Sequence, residues 1–161
     1  MPKFVFIVAL LVVCSGAVFA QRAGGPFARL AGHWTGSGTI DLANGTHEPL
    51  RCRASYDLLS ELHSLELNIR CASDSYNFDL YGRAVLSGHA VSGSWSESTH
   101  AASGTISGTA EGDRIQVRAE APGFTANLSL ITRGDRQSVS IRTPDQSSGI
   151  KGATISLRRR G

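Results

Sequence analysis

Two of the three cysteines stand at mirror positions on neighbouring runs of alternating polarity, and this constrains the fold more than any other feature of the chain. If Cys52 faces Cys71 across an antiparallel pair, the same register sets Ala54 opposite Ile69, Tyr56 opposite Leu67 and Leu58 opposite Leu65. Every residue on that side is then apolar. The other side carries Arg51, Arg53, Ser55 and Asp57 against Glu66, Asn68 and Arg70, which is the solvent face of a half-buried sheet. A disulfide between Cys52 and Cys71 would clip two adjacent strands, and such bonds persist in oxidising compartments.

The third cysteine, Cys14, lies in an N-terminal stretch with the grammar of an export signal. Lys3 opens it, an apolar run extends from Phe4 to Val13, and Val18-Phe19-Ala20 supplies a small-residue cleavage site before Gln21. The apolar run is too short to cross a bilayer, which takes roughly 20 residues. A lipid-attachment role for Cys14 is the competing reading, and Val13 is a poor residue to precede such a site. Residues 1–20 therefore read as a signal peptide, 21–27 as a flexible lead and 28–161 as a single all-β domain. The expected location is periplasmic or secreted, with no integral membrane segment after cleavage. The formal charge is +3 and falls to +2 when Lys3 leaves, so the chain offers no electrostatic case for nucleic acid. Arg158-Arg159-Arg160 is the sole basic run and reads as a solvated tail.

From Phe27 onward the polarity alternates with period two, and turn signals recur at strand-length intervals. Asn44-Gly45, Ser73-Asp74, Gly112-Asp113, Pro122-Gly123 and Gly134-Asp135 each separate two alternating runs. About ten strands follow, with no convincing amphipathic helix. Short sequential connections favour antiparallel meander pairing, and closure removes the edges an open sheet would expose. The expected architecture is an antiparallel up-and-down β-barrel of about 8–10 strands, with a β-sandwich as the alternative. The inward row mixes Trp34, Tyr56, Phe78, Trp95 and Phe124 with Gly36, Gly38, Gly93, Gly104, Gly108 and Ala126. Those glycines either mark strands that bend and cross closely or leave an internal space.

Leu30-Ala31-Gly32-His33-Trp34-Thr35-Gly36 resembles the Gly-x-Trp opening of the first strand in lipocalins and the wider calycin group. The Gly93-Ser94-Trp95 and Gly104-Thr105-Ile106 echoes are similar to the glycine-punctuated strands of avidins. The chain as a whole also resembles small exported β-proteins of Gram-negative bacteria. The calycin resemblance implies that Trp34 plugs one end of the barrel and that an arginine from a late strand, Arg142 or Arg158, lies over its ring.

Catalytic signatures are missing where chemistry would need them. His33, His47, His63, His89 and His100 show no metal-ligand spacing, so no metal and no cofactor is expected. His89 and His100 flank the strand from Val91 to Glu97 in loops that could meet at one rim. The serines form no nucleophile elbow, and Glu97 is the best lone carboxylate, read as a strand-end charge. Arg133-Gly134-Asp135 spells an integrin-type tripeptide in what is equally a hairpin turn. These features together point to a non-catalytic exported barrel holding a small hydrophobic or aromatic ligand against Trp34, Tyr56, Phe78, Trp95 and Phe124. The alternative is a structural or protein-interaction domain of the periplasm or cell envelope without a ligand.

Overall fold

A computed structural model describes residues 24–59, 63–144 and 148–161. The signal-peptide reading of residues 1–20, Cys14 included, falls outside the described residues. Ten strands follow in chain order: β1 (Gly32–Leu42), β2 (His47–Leu59), β3 (Ser64–Ala72), β4 (Asn77–Ser87) and β5 (Ala90–Glu97), then β6 (Ala102–Glu111), β7 (Arg114–Ala121), β8 (Phe124–Arg133), β9 (Arg136–Arg142) and β10 (Ile150–Arg159). Each strand pairs antiparallel with its sequence neighbour, and β1 closes the ring on β10. The barrel is therefore the architecture, and the sandwich is not.

The cysteine register is the one the sequence dictates: Cys52 faces Cys71, Ala54 faces Ile69, Tyr56 faces Leu67 and Leu58 faces Leu65. Cys52 and Cys71 are disulfide-bonded, with their Cα atoms 4.2 Å apart. A one-residue slip would turn Arg51, Arg53 and Arg70 into the core, so the apolar pattern and the covalent bond enforce the same pairing. Asn44-Gly45 and Gly134-Asp135 make the tight turns expected of them, with Gly45 and Gly134 at positive φ of 88° and 59°.

Both ends of the barrel can be followed along the strands. One end, the floor, gathers the starts of the odd strands and the ends of the even ones; the other is the rim. A 3₁₀ turn over Pro26–Arg29, with Pro26 in its first turn, runs beneath the floor. It buries Phe27, a residue that sequence patterning places in the flexible lead, and Leu30 follows it into the core.

The inward glycines are sites of close strand approach. A Cβ on Gly36 or Gly38 of β1 would lie on the carbonyl oxygen of Ser156 or Thr154 in β10. Gly93, Gly104 and Gly108 press in the same way on Arg83, Glu120 and Gln116. They leave no room for larger side chains, so of the two readings of these glycines, close crossing and internal space, it is close crossing that holds. The cause is backbone against backbone, in keeping with strongly bent strands.

Gly38→Ala should therefore destabilise the protein by about 1–3 kcal/mol in denaturant melts, whereas Gly25→Ala, which meets nothing within 4 Å, should change stability by less than about 0.5 kcal/mol. Replacing Cys52 and Cys71 together by alanine should cost about 2–4 kcal/mol, and thiol titration of the unreduced parent should find neither cysteine reactive.

Candidate functional site

The floor is built around Trp34, which is wholly buried. Its indole N–H donates to the Leu30 carbonyl at 2.7 Å. Arg159, at the end of β10, lies over the ring with its guanidinium carbon 4.4 Å from the centroid. The same guanidinium donates to the carbonyl oxygens of Ala31 and of Arg29, the latter at 2.7 Å. The plug and its arginine cover are thus present, but the cover is Arg159. Strand parity decides this: Trp34 pairs with Arg159, while Arg158 pairs with Thr35 on the outward row. Arg142 pairs with Gly152 near the rim and is exposed, so it sits at the opposite end of the barrel.

Tyr56 belongs to the floor as well. Its hydroxyl donates to Gln137 Oε1 at 3.0 Å, and Gln137 Nε2 donates to Thr132 Oγ1 at 3.1 Å. All three are buried, and burial pushes the Tyr56 hydroxyl well above its ordinary range, so it stays protonated. Trp34 and Tyr56 therefore fill the closed end of the barrel.

Above this floor the packing changes. Leu128 and Leu130 of β8 and Val139 and Ile141 of β9 face inward, yet each is only half-buried. Ile69 and Val117 on their own strands are alike. Although Val117, Leu128 and Val139 also border hollows along the outer wall, this partial exposure is the ground for the opening toward the rim, the cup, proposed below. Trp95 and Phe124 stand together on one wall of it, their rings in edge contact at 5.7 Å. Phe78 lies at the lip, stacked on Tyr76 at 6.0 Å and tilted against His100 at 6.1 Å. Of the five aromatic residues expected to meet a ligand, the structure places Trp95, Phe124 and Phe78 around the cup and Trp34 and Tyr56 beneath it. His89 does not join His100, because the two flank opposite ends of β5 and therefore opposite ends of the barrel.

The rim is held by two buried carboxylates at inward positions. Glu97 accepts hydrogen bonds from the backbone N–H groups of Asp79, Thr99 and His100 at 2.8, 3.0 and 2.7 Å, and pairs with His100 Nδ1 at 2.8 Å. Burial pushes its carboxyl up, but the bonds from Asp79, His100 and Thr99 outweigh this and hold it at about 2. It is a loop anchor and not the solvated strand-end charge read from sequence. Glu48 does the same for the turn between β3 and β4, accepting from the hydroxyls of Ser75 and Ser73 and from the Ser75 N–H. Among the described residues, no three histidine, cysteine or acidic side chains converge as a metal site would require.

The outer wall has its own hollow, of about 540 Å³, over β6 to β9. Ser107, Gln116, Asn127 and Ser129 line it together with Arg118 and Arg142. Short serine side chains make the depression, and the inward residues Val117 and Leu128 border it as well.

Two solved structures share this barrel. The protein Rv2717c from M. tuberculosis superposes with a TM-score of 0.67 at 15% identity, covering 83% of this chain and 94% of its own. The S-type phycobiliprotein lyase CPES from Guillardia theta gives a TM-score of 0.57 at 14% identity, covering 84% and 90%. At such identities the likeness shows a common antiparallel barrel fold and nothing finer. The sequence matches no protein-family model and no curated protein.

The depressed pKa of Glu97 has a definite sign. A carboxyl held at about 2 in the folded protein, against an ordinary 4.5, stabilises the fold fully above pH 4.5 and loses that contribution as pH falls toward 2. Glu97→Gln should therefore be less stable than the parent at pH 7, and the gap should close between about pH 5 and pH 2 in thermal melts. A gap independent of pH would mean that the carboxylate does not anchor the loop.

Proposed function

We propose that the protein is an exported barrel that binds a small hydrophobic or aromatic molecule in the cup above Trp34, without carrying out chemistry on it. The observation that carries this reading is the partial exposure of inward apolar residues on β8 and β9 above the filled floor. Half-buried Leu128, Leu130, Val139 and Ile141 leave apolar surface that folding has not removed from water, and a ligand would complete its burial. Among the described residues, the two inward acids nearest the rim, Glu48 and Glu97, are both engaged in holding loops. The Cys52–Cys71 disulfide and the signal-like residues 1–20 support a periplasmic or secreted location. The phycobiliprotein lyase CPES supports the reading at the level of fold.

The outer hollow with Arg118 and Arg142 favours the second reading, a domain that meets other molecules through its outer wall. A single experiment separates the two. Nile red should bind the folded protein at about one saturable site with a blue-shifted emission, and Ile141→Trp, which fills the cup, should abolish binding while costing less than about 1 kcal/mol in stability. In a barrel packed throughout, the same substitution would overpack the core at a cost of about 1–3 kcal/mol, with no dye site to lose. That outcome would transfer the function to the outer wall.

A further inference from the structure

The two tryptophans of this chain differ in one respect that bears on the ligand. Trp34 gives its indole N–H to Leu30. Trp95 is also buried, at 7% exposure, yet its Nε1 has no hydrogen-bond partner among the described residues. Buried donors are nearly always satisfied, so an unmet one needs a reason.

Although the Glu120 carbonyl lies beside the same Gly104 position that the indole nitrogen faces, no acceptor among the described residues bonds Trp95 Nε1. Its cross-strand partners are Gly82 on β4 and Gly104 on β6, neither of which carries a side chain. The indole nitrogen lies 3.0 Å from the point a Cβ on Gly104 would occupy, which sets it against the inner face of β6. The hydroxyls of Ser94, Ser96, Ser103 and Thr105 belong to outward positions on the same two strands. Glu97, two residues along the inward row, is occupied by Asp79, Thr99 and His100. The ring in contact with the indole is that of the half-buried residue Phe124.

We infer that the Trp95 N–H is the polar anchor of the cup, and that the ligand is an apolar, ring-bearing molecule with a neutral hydrogen-bond acceptor, such as a carbonyl, at one end. The inference rests on the ligand-cup reading above and refines it. A neutral acceptor fits because Glu97 is ionised nearby and would repel a carboxylate. To reach the nitrogen the acceptor displaces the Phe124 ring, which keeps partial access to solvent and so has somewhere to move. An acceptor arriving from the ligand satisfies a donor that the folded chain leaves unmet, so the bond counts almost wholly toward binding.

The test uses two probes of the same planar shape, 2-acetylnaphthalene, which carries a carbonyl, and 2-isopropenylnaphthalene, which carries a methylene in its place. In ¹H–¹⁵N spectra of the wild-type mature protein, the ketone should move the Trp95 indole resonance downfield while the alkene does not, and the Trp34 indole should stay in place with both. Trp95→Phe should weaken the ketone by roughly 5- to 10-fold, the value of one net hydrogen bond, and leave the alkene within about 2-fold. If that variant does not fold, the wild-type spectra decide alone. Saturable binding of both probes with no selective shift at Trp95 would overturn the anchor and leave the cup reading standing. Binding of neither probe would overturn the cup reading itself, and the anchor with it.

Discussion

The barrel depends on the contact between its first strand and its last. Arg159 reaches from the end of β10 over the Trp34 ring at the start of β1, and its remaining donors take carbonyl oxygens of Ala31 and Arg29. A cation held over an indole in a partly desolvated setting is worth about 1–2 kcal/mol, and the hydrogen bonds to otherwise unmet carbonyls add to it. More important is what the contact joins. It fixes the 3₁₀ turn, the first strand and the C-terminal strand at one point, and without the β1–β10 seam both strands would be open edges.

That seam also explains why the interior is uneven. The floor is filled by Phe27, Leu30, Trp34, Tyr56 and Leu157 around the Gln137 hydrogen-bond chain. Above the floor the inward positions of β8 and β9 carry the half-buried aliphatic residues Leu128, Leu130, Val139 and Ile141. On the proposed reading, the upper half of this ten-strand ring is the ligand cup. Glu48 and Glu97 hold that opening in shape, because each satisfies the N–H and O–H groups of a rim loop and keeps it from collapsing inward.

A good part of this was legible in the chain. Alternation and the Cys52/Cys71 symmetry determined the strand register, because a period of two leaves no other pairing that buries one face. Gly32-His33-Trp34 marked the plug, and the turn dipeptides marked the hairpins through their demand for positive φ. Even Arg159 was within reach, since Ala153, Ile155, Leu157 and Arg159 share one inward row of β10; reading Arg158-Arg159-Arg160 as a solvated tail hid it.

The remaining features belong to the tertiary structure. Alternation shows that Gly36, Gly38 and Gly93 face inward but not whether space or a neighbouring carbonyl lies before them, because that depends on the bending of the closed sheet. It places His89 and His100 beside one strand but not at opposite ends of a barrel. Which of five inward aromatic residues fill the floor and which border the cup follows from the height each reaches in the ring, a quantity set by closure of β1 on β10. The sequence by itself determined the faces of the strands, since the side-chain period is local. Only closure decided the depth, the neighbours and the unmet Trp95 N–H, since these arise between strands far apart in the chain.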